Sequence, residues 1–423
     1  MFPQLCLLIF SHRTLYLPFP ESRGPMKRIP ITALLLSSTL LALGHAAPTV
    51  NGLAFFGDPP DAHHPWAVHD RNRPQPVIVT PGTFSTADKP GKPPSDAVVL
   101  FDGSEASLAN WEADKPIPEP TKWIVKEGAM ECVPGSGFIR TKEKFGDVQL
   151  HVEWAAPKNV KGAGQGRGNS GIFLMGLAEV QVLDNFNNPA YADGMAGAIY
   201  GINPPMANAL LAPGEFQMVD IVFRRPIFKG DQQVDAGHIT VFINNVLVQD
   251  ATPLEGPGYF VRRSKPLPFP ESGPIKFQDH GNPVRYRNVW LRPLPPRASE
   301  GDTNGYLSAE VTSAKRAATA AEIRAEAAKL TDTDKPLPKL LGLMESLVYE
   351  NDAPTVQQVN QLADGYLAML KALPANQLAD RKNEVMSTHR AGSYLLRHRV
   401  LSAFALVPAL ESIIKAHGWD KKK

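Results

Sequence analysis

The sequence predicts a mainly β protein, a sandwich or barrel of antiparallel strands, with a helical appendage at its C-terminal end. Three observations carry this. Between Val98 and about Pro293 short segments alternate apolar and polar residues with period two. Gly, Pro and Asn separate those segments at the intervals turns require. Beyond Pro293, Pro295 and Pro296 the composition shifts to Ala, Glu, Lys and Arg with helix-period apolar residues.

At 423 residues the chain exceeds one ordinary domain. Its 44 basic residues are interspersed with 42 acidic ones, a formal charge of +2 with no basic stripe, which argues against nucleic acid as a partner. Met26-Lys27-Arg28, the apolar run Ile29 to Leu43 and Gly44-His45-Ala46-Ala47 have the three-part pattern of a secretory signal. The expectation is export to the periplasm or medium, with residues 26–46 removed and residues 1–25 an upstream extension of doubtful origin. The apolar run is short for a membrane span, so no membrane anchor is expected. Of the two cysteines, Cys6 precedes the cleavage point and Cys132 reads as a small buried hydrophobe, which leaves the core to stabilise the exported chain.

Residues 47–97 are dense in proline and predict an extended, solvated arm; Asp58, Asp61, His63, His64, His69 and Asp70 lie there without a regular element to orient them on a metal. In the main domain, residues 98–294, Val148 to Trp154 is the clearest strand: Val148, Leu150, Val152 and Trp154 face one side, Gln149, His151 and Glu153 the other. Glu179 to Leu183 sets Glu179 and Gln181 against Val180 and Val182. Ile275 to His280 sets Lys276, Gln278 and His280 against Ile275 and Phe277. His238 to Gln249 reads as a hairpin turning at Asn244-Asn245. The stretches Lys161 to Gly168 and Asn187 to Asn208 are longer than structural turns require, as loops serving a site are. Residues 295–423 predict about four helices, over Ala309 to Leu330, Leu337 to Tyr349, Thr355 to Leu373 and Asn376 to His417, a packing or protein-contact element.

By this parity His151, Glu153, Glu179, Gln181, Gln278 and His280 fall on wet strand faces, and a sheet face lined by carboxylates, imidazoles and carboxamides suits a polyhydroxyl ligand. Aromatics such as Trp111, Tyr200, Phe216 and Tyr259 would meet the C–H faces of sugar rings. There is no phosphate-binding loop at a strand-to-helix junction, and Asn169-Ser170-Gly171 lacks the spacing of a serine nucleophile elbow.

An ordered set of motifs gives a sharper reading. Leu100-Phe101-Asp102-Gly103 with Trp111, Trp123 to Gly128, Gly137 to Thr141, Phe145-Gly146-Asp147 running to Glu153-Trp154, Asn169-Ser170-Gly171-Ile172-Phe173-Leu174, Glu179 to Asp184, Gly197 to Gly201, and Gln278-Asp279-His280-Gly281 through Arg287-Asn288-Val289 follow one another across residues 98–294. In these the chain resembles the 3-keto-disaccharide hydrolase domain family, also described as 3-keto-glucoside 1,2-lyases and 3-keto-2-hydroxyglucal hydratases. It departs at Phe216-Gln217, where Trp and often Asn are usual, and at Met175, where many members carry Arg. The resemblance implies a concanavalin A-like jelly-roll sandwich acting on a di- or oligosaccharide or glycoside already oxidised at C3, whose keto group acidifies the C2 hydrogen for elimination and rehydration. It further implies Glu153 or Glu179 as base, His280 as acid or base partner, and Gln181, Gln278 or a divalent cation stabilising the enolate. His151 would contact substrate, Tyr200 would wall the groove, and Asp184 and Asp279 would orient groups or hold a metal. A non-catalytic carbohydrate-binding module and a conventional glycoside hydrolase are the alternatives.

Overall fold

The computed structural model describes residues 54–86, 88–297, 306–331 and 336–420. The signal pattern at Met26 and the doubtful extension lie outside the described residues. The fold is mainly β with antiparallel sheets, followed by a helical C-terminal region.

The strands are β1 (Val98–Phe101), β2 (Trp111–Ala113), β3 (Ile124–Lys126), β4 (Ala129–Glu131), β5 (Ile139–Thr141), β6 (Val148–Ala155), β7 (Ser170–Leu174), β8 (Ala178–Val182), β9 (Gln217–Arg224), β10 (Ile227–Lys229), β11 (Gln232–Asp235), β12 (His238–Ile243), β13 (Val246–Pro253), β14 (Lys276–Phe277) and β15 (Arg285–Pro293). One sheet runs β13-β12-β9-β6-β15-β4-β3, with β1 also on β15; the other runs β2-β5-β14-β7-β8; β10 and β11 form a separate ribbon. Both larger sheets contribute to one apolar core: Leu150, Val152 and Trp154 from β6 lie in the same cluster as Ile172 and Leu174 from β7, Val180 and Val182 from β8, and Phe277 from β14. The outer face of each sheet therefore points away from the other.

This geometry fixes where parity leads. On β6 the residues opposite the core are Gln149, His151 and Glu153, on the outer face of the eight-stranded sheet. On β8 they are Glu179 and Gln181, on the outer face of the five-stranded sheet. The expectation that His151 and Glu153 share a groove with Glu179 and Gln181 is corrected: the two pairs sit on opposite sides of the core. Period two assigns residues to one side of a strand and carries no information about which sheet that strand joins.

Two further expectations change. The strand expected over Ile275 to His280 is only Lys276–Phe277, and His280 is exposed in the turn beyond it. The proline-rich segment is exposed over most of residues 73–84, but other parts of it dock on the fold. Phe55 and Trp66 pack on the helical core, Arg71 Nε donates to Glu345 Oε1 at 2.9 Å, and Tyr349 OH donates to Asp70 Oδ2 at 2.6 Å. Farther along, Ser85 and Thr86 reach the eight-stranded sheet. Proline excludes helix, but an extended segment can still dock through its polar groups.

The helical region holds six helices among the described residues, Ala309–Ala328, Pro336–Tyr349, Ala353–Ala372, Ala375–Asp380, Lys382–Arg397 and Leu406–Ala416, around a separate core that includes Leu340, Met344, Val359, Leu370 and Leu410. The segment expected as one helix from Asn376 to His417 is three. Asp352 caps the third helix, accepting from Thr355 N at 2.9 Å, with Pro354 inside the first turn where its missing N–H is not needed. No helix among the described residues is long and apolar enough to cross a membrane.

Candidate active site

On the outer face of the five-stranded sheet the ladder sets Phe173 opposite Glu179 and Gly171 opposite Gln181, while Lys276 pairs with Phe173 from the other side. Gln278 N donates to Gly171 O at 3.1 Å, extending the second row as Gln278, Gly171, Gln181. The Glu179 carboxylate reaches over Gly171, into the space a side chain there would fill. The segment after β8 folds back along that strand's free edge: Tyr200 N donates to Glu179 O at 3.1 Å and Gln181 N to Ala198 O at 3.0 Å. This fold-back brings Tyr200 beside Glu179, with its hydroxyl 2.9 Å from that of Tyr191.

Glu179 is 8% exposed, and among the described residues no hydrogen-bond donor reaches its carboxylate. Burial alone, with no compensating donor, pushes its pKa up to about 8. The Tyr200 phenol is also held above its usual range, first by burial, then by the Tyr191 hydroxyl, with the Glu179 charge adding to the effect. Around them the amides are arranged in a chain. Gln181 Nε2 donates to Gln165 Oε1 at 3.1 Å, Asn169 Nδ2 donates to the same oxygen at 3.1 Å, and Gln181 Oε1 accepts from Val182 N at 3.1 Å. Two buried acceptors, Asn169 Oδ1 and Gln278 Oε1, have no partner among the described residues. An unpartnered buried oxygen costs on the order of 1–3 kcal/mol, so the site is built to receive donors.

At the far end of this face charge is already neutralised. Lys276 Nζ lies 2.5 Å from Asp114 Oδ2, and Arg140 bonds Glu112 at 2.8 Å and Asp114 at 3.2 Å. The Lys276 ammonium also stands 5.9 and 5.8 Å from the ring centroids of Phe138 and Phe173.

The other residues expected at a site are placed elsewhere. Glu153, fully buried, accepts from Ser85 Oγ at 2.5 Å, Asn288 Nδ2 at 2.7 Å and Arg287 Nε at 2.7 Å. Arg287 and Asn288 both reach it because the β6–β15 register shifts there and Asn288 takes a φ of 48°. Burial opposes the Glu153 charge, but His151, Ser85, Asn288 and Arg287 outweigh it and hold the pKa down at about 2. His151 is held up at about 9: burial works against its charge, and bonds to Asp220 (2.8 Å) and Glu153 (3.4 Å) overcome it. His151 and Glu153 thus form a closed, ionised network under the proline-rich arm rather than a base with a free lone pair.

Asp279 accepts from Gly137 N at 2.8 Å and Gly281 N at 2.9 Å, and Asp184 is bound by Arg167 Nε at 2.7 Å and Phe186 N at 3.1 Å. Both carboxylates are occupied in shaping loops. Among the described residues no three His, Cys, Asp or Glu side chains gather as a metal site would need. His280 lines a cavity of about 910 Å³ together with Arg167, Asp184 and Arg285, and Glu179 is not part of that lining. Of the aromatics considered as sugar platforms, Trp111 is core, stacked on Phe277 at 4.7 Å, and Phe216 lies 3.8 Å below the Arg287 guanidinium.

Sequence reasoning missed Gln165, Asn169 and Tyr191 as site residues. A signal was present, since all three lie in or beside the two overlong loops at 161–168 and 187–208.

A buried, undonated carboxyl, paired phenols and unpartnered amide oxygens come together on this sheet face. Residues 96–292 match the family of the 3-keto-alpha-glucoside-1,2-lyase-like domain, and the chain belongs to that family, which places it among carbohydrate-active enzymes. No functionally curated protein gives a significant match. Among solved structures, the chain is 40% identical to a candidate glycosyl hydrolase from Parabacteroides distasonis, covering 52% of this chain and 93% of that one with a TM-score of 0.49. A second candidate glycosyl hydrolase from the same organism is 19% identical over 47% of this chain and 99% of that one, with a TM-score of 0.33.

Proposed function

We propose that the protein is an exported enzyme that acts on 3-keto-glycosides by removing the C2 proton, with Glu179 as the base and a concanavalin A-like jelly roll as its scaffold. The observation that carries this reading is the Glu179 carboxyl: buried, without a donor, and held near pH 8. The 3-keto group acidifies C2–H but leaves it a weak acid, so a base of raised pKa is better matched to it than an ordinary carboxylate. Glu179 takes the C2 proton, the electron pair moves into the C2–C3 enolate, and the C1–O bond then breaks to give the 2-hydroxyglycal. The leaving oxygen receives a proton from Tyr200, whose hydroxyl is hydrogen-bonded to Tyr191. Water added across C1–C2 returns the 3-keto sugar. Asn169 Oδ1 and Gln278 Oε1 accept from sugar hydroxyls and fix the ring over Gly171.

A pair of glucosides, one oxidised at C3 and one not, tests the reading. Turnover of the oxidised compound alone, abolished in Glu179→Gln with binding retained, supports it. Equal hydrolysis of both would make the protein a conventional glycosidase, and binding without turnover a carbohydrate-binding module. Export is read from the Met26 to Ala47 pattern, and N-terminal sequencing of the secreted protein checks it.

A further inference from the structure

We propose that the cavity beside His280 is a binding site for an anionic sugar residue, one bearing a carboxylate or a sulfate. It measures about 910 Å³, room enough for one or two sugar rings. Glycines at 162, 166, 168, 214 and 281 contribute to its wall. Its charge is one-sided, with five cations against the carboxylates of Glu131 and Asp184.

Three of the five cations are paired. Arg167 holds Asp184 at 2.7 Å, Lys126 lies 3.7 Å from Glu131, and Arg285 lies 3.0 Å from Glu127 and 3.7 Å from Glu131. Lys158 and Lys161 have no acidic partner among the described residues, and both are exposed. Arg285 Nε is buried and makes no hydrogen bond among the described residues, its carboxylate neighbour being Glu131 Oε2 at 3.7 Å. Two unpaired ammonium groups beside a hollow whose lining carries more cations than carboxylates favour an anion with oxygen acceptors. The His280 imidazole and the loop backbone nearby suit the hydroxyls of the ring that carries it. This inference is independent of the reading of Glu179.

Titration calorimetry with digalacturonate, galactose 6-sulfate, neutral galactobiose and inorganic sulfate tests it on the full-length protein. Binding of either charged sugar at least tenfold tighter than galactobiose, weakened about tenfold between about 50 and about 500 mM salt, is the expected result. A preference between the two identifies the anionic group. Lys158→Ala/Lys161→Ala, on an exposed loop, should lose the anionic ligand about tenfold with an unchanged melting temperature, while Glu179→Gln keeps it. Equal affinity for charged and neutral sugars, inorganic sulfate binding as tightly as the sugars, or an unaffected double variant would overturn the proposal.

Discussion

The Glu179 carboxylate occupies the space above Gly171 on the neighbouring strand: a β-carbon at residue 171 would stand 2.2 Å from Glu179 Oε1. Glycine is required here by the close approach of a functional group, since Gly171 is not among the residues with positive φ. Gly171→Ala should displace the carboxylate towards water, lower its pKa and abolish turnover. Because the clashing atom ends a flexible side chain that gains solvation by moving, the stability cost should stay within about 1 kcal/mol. Thermal melts beside initial rates separate the two effects.

The raised pKa of Glu179 sets a pH dependence. The ionised form is disfavoured in the folded protein, so the catalytically competent fraction grows as pH rises, and kcat/KM should climb to a plateau above about pH 8. The same shift costs stability. With the folded pKa above the unfolded value of 4.5, stability present below 4.5 is lost progressively as pH rises through 8. Glu179→Gln should therefore melt higher than wild type, with the gap widening between those values. A gap that stays constant with pH would contradict this.

The network on the opposite sheet behaves in the reverse sense. Glu153, depressed to about 2, contributes stability that is present above 4.5 and lost as pH falls through 2. His151, raised to about 9, contributes stability that is present below 6.5 and lost as pH rises through 9. Glu153→Ala leaves the Arg287 guanidinium buried without its carboxylate and should cost about 3–5 kcal/mol, whereas Ser85→Ala, removing one donor from the arm, should cost about 1 kcal/mol. Denaturant titration measures both. Turnover per folded molecule should survive in each, because neither residue lies on the Glu179 face.

Tyr200→Phe removes the proposed proton donor while keeping the ring, and should lower kcat by about 10²-fold or more. His280→Ala should lower it by less than about tenfold, since the cavity His280 lines does not include Glu179. Steady-state kinetics on a 3-keto-glucoside ranks the two, and the opposite ranking would move the chemistry to the His280 cavity.

What was legible in the sequence follows from which physical signals are local. The alternation of Val148 to Trp154 identifies the strand, although the side expected to be wet is buried at His151 and Glu153, and Asn244-Asn245, both at positive φ, mark the hairpin turn between β12 and β13. Glu179 and Gln181 stand out because they alternate with apolar residues, although the strand they lie on is buried on both faces. Sheet membership is not local, so Glu153 was grouped with Glu179 although the core separates them. The bulge at Asn288 that turns Arg287 and Asn288 together onto Glu153, and the docking of Ser85 there, depend on long-range partners with no trace in periodicity. Asn169 and Gln165 acquire meaning only when the glycine-rich loop meets the fold-back segment at Gly194.

Proton exchange at C2 tests the central claim most directly. A 3-keto-glucoside incubated with enzyme in deuterium oxide and followed by proton NMR should lose its C2 proton signal, or yield product deuterated at C2, at a rate that falls by about 10²-fold or more in Glu179→Gln. Full exchange in Glu179→Gln, or glycoside cleavage by wild type with the C2 proton retained, would contradict it.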